Sequence, residues 1–161
     1  MEKQRRKIPD QDKLLAKFTL FAELSEEELH GLIEQSATER YAAGERIISA
    51  GDSGHCMYVI LSGSVRVTIK RGNGEIELAR LTGGDFFGEV ALVDDGPRSA
   101  TVTATEDCEL LCITRTTLGV LAGLHPGAAI HLLAAIGRSL VARLRSDNKK
   151  YIDLLLSGGP N

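Results

Sequence analysis

The sequence predicts an α+β protein: an antiparallel β-roll of jelly-roll type with about eight strands, N-terminal helices ahead of it and C-terminal helices behind it. Three observations carry this expectation. From Tyr41 to Arg115 the chain is a series of short β-prone runs broken by glycine: ERIISAGDSG, CMYVILSGSVRVTIK, RGNGEIELARL, TGGDFFGEVAL and SATVTATEDCELLCITR. Turn signals recur there about every eight to twelve residues, the density of a sandwich or barrel. On both sides of this region apolar residues fall instead at helical spacing.

Each element has its own warrant. DKLLAKFTLF carries apolar residues at helical spacing, and LSEEELHGLIEQS follows with Ser25 placed as N-cap, Glu28 three residues on, and Leu29, Leu32 and Ile33 beneath. That is a capping box. The alternation in SVRVTIK marks one face of a strand as buried, and RGNG between VRVTIK and EIELARL reads as a hairpin loop whose glycines can take positive φ. After Arg115 the pattern returns to helix: Pro126 is placed to start one, SGGPN to end one, and Leu133, Ile136, Leu140 and Leu144 form an apolar stripe. The expected organisation is a helical extension over 1–17, the β-roll with its flanking helix over 18–125, and C-terminal helices over 126–161.

Composition narrows the function. At 161 residues the chain can bury one core but not two ordinary ones, and 43% hydrophobic with 25% charged residues argues against a wholly disordered chain. No run approaches the roughly 18 unbroken apolar residues of a membrane span, and MEKQRRKIPDQDK lacks the apolar stretch of a signal peptide, so a cytoplasmic protein with no membrane span is expected. A net charge of −3 gives no general attraction to nucleic acid, and the KQRRK cluster reads as a solvated tail. Cys56, Cys108 and Cys112 include no closely spaced metal-type pair, and His30, His55, His125 and His131 are scattered. We therefore expect reduced, packing cysteines, no metal and no cofactor.

The chemically informative stretch is FFGEVALVDDGPRSATV, residues 86–102. Phe86, Phe87, Val90, Ala91, Leu92 and Val93 promise burial, yet Glu89 and Arg98 are seldom buried without a partner. One reading is an ion pair between them closing a hairpin, stabilising by at most about 1 kcal/mol. The other is a binding site. Gly88 permits close approach, EVALV can form a short turn whose N–H groups face an anion, Arg98 offers a planar fork to two phosphate oxygens, and Ser99 adds a hydroxyl. Glu89, acceptor-only when ionised, suits a ribose 2′-OH. Together with apolar walls these groups describe a nucleotide site, best matched to a single cyclic phosphate.

At these residues the sequence resembles the cyclic nucleotide-binding domains of bacterial catabolite activator proteins, protein kinase A regulatory subunits and cyclic nucleotide-gated channels. FGEVALVDDGPRSATV is similar to that family's phosphate-binding cassette, and the likeness continues upstream through LFAELSEEELHGL, YAAGERIISAGDSG and MYVILSGSVRVT, covering residues 18–145. The resemblance implies that Arg98 binds the cyclic phosphate and Glu89 the ribose 2′-OH. Phe87, Gly88, Val90 and Ala91 would line the cassette, Ser99 and Ala100 would touch phosphate or base, and Val67 and Leu78 would wall the purine. The ligand implied is cyclic AMP, with cyclic GMP as the alternative that the Ser99 hydroxyl leaves open.

The same resemblance gives the C-terminal helix, expected over His131–Leu156, the roles of lid and dimer interface, with Arg143, Ser146 and Asn148 as candidates to meet the base. Its stripe of Leu133, Ile136, Leu140, Leu144, Tyr151 and Leu155 has near-heptad spacing interrupted by Asp147 and Asn148. A homodimer through this helix and packing on the chain's own roll both account for it. No DNA-reading helix-turn-helix is expected within the chain. The resulting expectation is a non-enzymatic cyclic nucleotide sensor that signals to a downstream protein partner by repacking its last helix. The alternatives are a roll that has lost its ligand and serves as an interaction module, or the sensor piece of a larger regulator or channel. A cupin-like metalloenzyme would need more histidines in the β region than His55, and an iron-centred redox sensor would need a fourth ligand beside the three cysteines.

Overall fold

The computed structural model describes residues 11–157. Two helices lead, α1 (Gln11–Ala16) and α2 (Glu26–Gln35), joined through a 3-10 turn at Thr19–Phe21. The Ser25 capping box closes α2 as expected: Glu28 N–H donates to Ser25 Oγ at 3.1 Å, and Ser25 N–H donates to Glu28 Oε1 at 3.0 Å. The N-terminal KQRRK cluster lies outside the described residues.

Eight strands follow: β1 (Ala37–Tyr41), β2 (Arg46–Ile48), β3 (Cys56–Ser62), β4 (Ser64–Arg71), β5 (Gly74–Thr82), β6 (Phe86–Phe87), β7 (Thr101–Ala104) and β8 (Cys108–Thr114). They form two four-stranded antiparallel sheets in the orders β1-β8-β3-β6 and β2-β7-β4-β5. The α+β roll expected from the sequence is therefore the fold. RGNG is the β4–β5 hairpin: Arg71 pairs with Gly74, leaving Gly72 at φ +61° and Asn73 as the loop.

The central strands of the first sheet, β3 and β8, are buried on both faces, which is why CMYVILS runs apolar without alternation. Met57, Val59 and Leu61 face the helices, packing with Leu15, Phe21, Leu29, Leu32, Leu121 and Leu132. Tyr58 and Ile60 face inward, meeting Val65, Phe87, Val102 and Leu110 between the sheets. SVRVTIK departs from strict alternation. Val67 sits opposite Ala79 but Thr68 sits opposite Glu77, so Leu78 is the extra residue of a β-bulge, and Thr68 is buried where alternation would expose it.

The last described elements are α3 (Arg115–Leu124) and α4 (Pro126–Leu156), separated by His125. The last helix starts at Pro126 rather than His131, because a proline at N1 lacks only an N–H the helix would not use. Its face also differs from the expected stripe: Ala128, Ala129, Leu132 and Ile136 are buried, whereas Leu133 is 40% exposed and Leu144 62%. Beyond Leu140 the apolar side chains Val141, Leu144, Tyr151, Ile152 and Leu154–Leu156 are exposed. No unbroken apolar run spans a bilayer, but α4 is long enough and, at mean hydropathy 1.3 over 18 residues, apolar enough to do so by length and composition; 22% of that window is buried.

Candidate functional site

The residues of FFGEVALVDDGPRSATV converge on one side of the roll. Phe86 and Phe87 pair with Val59 and Tyr58 on β3, and the Phe87 ring stacks on Tyr58 with centroids 5.2 Å apart. The chain then turns on Gly88 at φ +76°, a backbone conformation that favours glycine, into a 3-10 turn over Glu89–Leu92. Ala91 and Leu92 anchor that turn in the core, while Val90 is 53% and Val93 75% exposed, against the burial expected for both. A 3-10 turn brings only every third residue back to the same face, so four consecutive apolar residues cannot all point inward.

Arg98 is held from both backbone and side chain. Its N–H donates to Asp52 O and its C=O accepts from Gly51 N–H, each at 2.8 Å, and Ser53 bridges to Pro97. The guanidinium then passes between two glycines. A Cβ on Gly54 would lie 2.1 Å from Arg98 Nε, and one on Gly88 would lie 2.8 Å from Nη1. Inside that slot Nη1 donates to Gly88 O at 3.0 Å and Nη2 to Cys56 O at 2.7 Å. Neither acceptor is charged, so the guanidinium is oriented without being neutralised, and a five-donor fork has N–H groups left for an anion.

Glu89 and Arg98 do not form an ion pair, which removes the hairpin reading. Glu89 is 8% exposed, and its Oε1 accepts from Arg143 Nη1 at 3.3 Å. Arg143 reaches it from α4, donates also to Phe86 O at 3.3 Å, and lies over the Phe86 ring at 5.1 Å. Glu89 Oε2 has no hydrogen-bond partner among the described residues. Behind the turn, Arg115 Nε donates to Ala91 O at 2.8 Å and the same guanidinium pairs with Asp95, tying the turn to the start of α3.

These groups line a cavity of about 900 Å³. Phe87, Gly88, Glu89, Val90, Ala91, Arg98, Ser99, Ala100, Val67, Leu78 and Arg143 all contribute to its wall, and the bulge turns Leu78, 55% exposed, onto it from β5. Sequence reasoning did not name Ile48, Ala79, Leu81, Val102, Asp94, Gly96 or Pro97, nor Asp147 and Lys150 on α4; Ser146 is there and Asn148 is not. Gly54 was missed as well, since only its contact with Arg98 distinguishes it from other loop glycines. The charges in the wall are Arg98, Arg143 and Lys150 against Glu89, Asp94 and Asp147, beside a largely aliphatic side. The arrangement suits a flat apolar ring joined to a group with one negative charge and a neighbouring hydroxyl.

Comparison with known proteins agrees with that description. The family described as the cyclic nucleotide-binding domain matches residues 38–123, which include both Glu89 and Arg98. The chain is similar to the cAMP-dependent protein kinase regulatory subunit of Mycosarcoma maydis, 34% identical over 133 residues, covering 77% of this chain and 25% of that protein. It is also similar to Glutaminase 2 of Bradyrhizobium diazoefficiens, 33% identical over 141 residues, covering 88% of this chain and 22% of that one. Among solved structures, the catabolite activator protein of Thermus thermophilus superposes with a TM-score of 0.73 at 37% identity, covering 85% of this chain and 62% of that chain. The chain thus spans about a quarter of the curated relatives it matches here.

Proposed function

Since the chain belongs to the cyclic nucleotide-binding domain family, we propose that it is a regulatory sensor whose cavity takes a cyclic nucleotide, cyclic AMP in preference to cyclic GMP, and that it performs no catalysis on it. The observation that carries this reading is the oriented but un-neutralised Arg98 guanidinium, set in the Gly54–Gly88 slot and facing the same cavity as the buried Glu89. A cyclic phosphate carries one negative charge with two exocyclic oxygens, the number a guanidinium fork can meet. Ser99 adds a donor to that phosphate, and Val67, Leu78 and Val90 supply apolar surface to the base. The preference for cyclic AMP is supported by the similarity to a cAMP-dependent kinase regulatory subunit.

Glu89 connects the ligand to the last helix. One carboxylate oxygen holds Arg143 of α4, and the other is available to the ribose 2′-OH. Ligand and helix therefore act on one buried group, and α4 repacks if its two arrangements differ in affinity for the nucleotide. The exposed apolar side chains beyond Leu140 are the part of α4 that a second copy of the chain or a downstream protein would cover.

Isothermal titration with cyclic AMP, cyclic GMP and 5′-AMP tests the assignment. We expect saturable binding of one nucleotide per chain, tightest for cyclic AMP and weakest for 5′-AMP. Absence of binding by all three would overturn the reading; a preference for cyclic GMP would overturn the choice of base alone.

A further inference from the structure

Beneath Arg98 lies a cluster that nucleotide binding does not use. Cys56 opens β3, and the β3–β8 register sets it opposite Thr114 while Tyr58 stands opposite Cys112. Side chains two apart on a strand share a face, so Cys56 and Cys112 are diagonal neighbours on the inner face of the sheet. Cys112, Tyr58 and the Arg98 charge are the neighbours that favour ionisation of the Cys56 thiol. Those three influences, Cys112 first, outweigh burial and the Glu39 charge and hold the Cys56 thiol below its usual range. Cys56 is only partly buried, whereas Cys112 is 6% and Cys108 2% exposed, and no disulfide joins the three. A partly accessible thiol that is readily ionised, backed by a second thiol, is the arrangement of a redox-responsive pair.

We propose that Cys56 and Cys112 form a peroxide-sensitive dithiol, with Cys56 attacking and Cys112 resolving, and that closing the disulfide withdraws the Cys56 carbonyl from Arg98 and weakens nucleotide binding. In the first step the Cys56 thiolate attacks one oxygen of hydrogen peroxide; an S–O bond forms, the O–O bond breaks, and the departing hydroxide takes a proton to become water. In the second, Cys112 loses its proton and attacks the Cys56 sulfur; the S–S bond forms, the S–O bond breaks, and a second water leaves. Two thiols and one peroxide thus give one disulfide and two waters.

The link to the cavity follows from strand geometry. Diagonal positions on antiparallel strands lie about 7–8 Å apart at Cα, beyond the roughly 4.4–6.8 Å that a disulfide spans. The bridge therefore requires backbone movement. Cys56 is the residue placed to move, because it is the first of β3, whereas Cys112 is paired on both sides, to Ala37 and to Tyr58. Its carbonyl is the 2.7 Å acceptor for Arg98 Nη2, so a shift there disturbs the guanidinium directly. Strain of this kind also makes the disulfide readily reducible, as a reversible control requires. The effect on binding rests on the nucleotide reading; the dithiol chemistry does not.

The test treats the whole chain with hydrogen peroxide, blocks remaining thiols with N-ethylmaleimide, and reads intact mass and peptide maps. We expect one alkylated thiol, on Cys108, and a Cys56–Cys112 linked peptide. Cys112→Ser, which keeps a hydroxyl able to donate to the Cys56 sulfur, should trap a Cys56 sulfenic acid that dimedone captures, and Cys108→Ser should oxidise like wild type. Three alkylated thiols after peroxide, a bridge that includes Cys108, or a bridge between two chains would overturn the dithiol. Cyclic AMP titration before oxidation, after it, and after dithiothreitol then reads the coupling: about a tenfold loss restored by reduction supports it, and equal affinity for oxidised and reduced protein overturns it. Failure of the reduced protein to bind would instead overturn the nucleotide reading, while the mass data would still decide the dithiol.

Discussion

Arg143 on the last helix and Glu89 in the cavity wall meet at 3.3 Å, so the helix furthest along the chain is fastened to the most buried charge in the site. The Arg143 side chain is 45% exposed, which screens the attraction. Arg143→Met should therefore destabilise the unliganded protein by no more than about 1 kcal/mol. A double-mutant cycle with Glu89→Gln, read by urea unfolding, should give a coupling of about 0.5–1 kcal/mol. Strict additivity would mean that the latch does not hold α4 in solution.

The glycine at position 54 has a steric role that its loop context does not announce. A Cβ there would sit 2.1 Å from Arg98 Nε, against a part of the side chain that its backbone anchors prevent from retreating. Gly54→Ala should push the guanidinium out of its slot and weaken cyclic nucleotide binding by about 10- to 100-fold, the equivalent of losing charge-assisted hydrogen bonds of about 1.5–3 kcal/mol. Titration calorimetry measures it, and wild-type affinity in this variant would mean that the slot does not position Arg98.

The face of α4 is tested by two adjacent leucines. Leu132 is fully buried and Leu133 is 40% exposed. Leu132→Ala should cost about 2–5 kcal/mol and Leu133→Ala less than about 1 kcal/mol. Equal losses in denaturant unfolding would place the helix in a different rotation on the roll.

Cys56 gives stability a dependence on pH. Its pKa falls from 9.0 to about 6 on folding, so between those values the unfolded chain binds more protons than the folded one, and stability rises with pH across that window. The contribution is complete above pH 9 and disappears as pH drops through 6. Tyr41 and Tyr58 are pushed up, chiefly by burial, and Cys108 likewise; their effects have the opposite sign and set in at the upper edge of that window, Cys108 from about pH 9 and the tyrosines above it. Urea unfolding of wild type and Cys56→Ser at pH 6, 7.5 and 9 should show the upward slope in wild type alone; parallel profiles would contradict it.

Much of this was legible in the sequence because the chemistry is local. Glu89 and Arg98 lie within one 17-residue stretch, 86–102, and the helix cap at Ser25 and the turn at Gly72 depend on residues within a few positions of each other. What could not be read depends on contacts between distant segments. That Glu89 pairs with Arg143 and not Arg98 is decided by where α4 crosses the roll. Leu132 rather than Leu133 faces the core because α4 begins at Pro126 and docks against α2, α3 and the 3-10 turn at Thr19–Phe21, a rotation that spacing leaves open when both positions are leucine. The bulge that turns Leu78 to the cavity leaves no mark in an otherwise regular hairpin.

In the proposed function Arg98 is the anchor of a cyclic phosphate. Thermal unfolding of wild type and Arg98→Ala, each with and without cyclic AMP at 100 times the wild-type dissociation constant, tests it most directly. The nucleotide should stabilise wild type by about 2.7 kcal/mol, a rise of several degrees in the midpoint, and leave Arg98→Ala where it was. An equal rise in both proteins would contradict it, because the nucleotide would then be held by something other than Arg98.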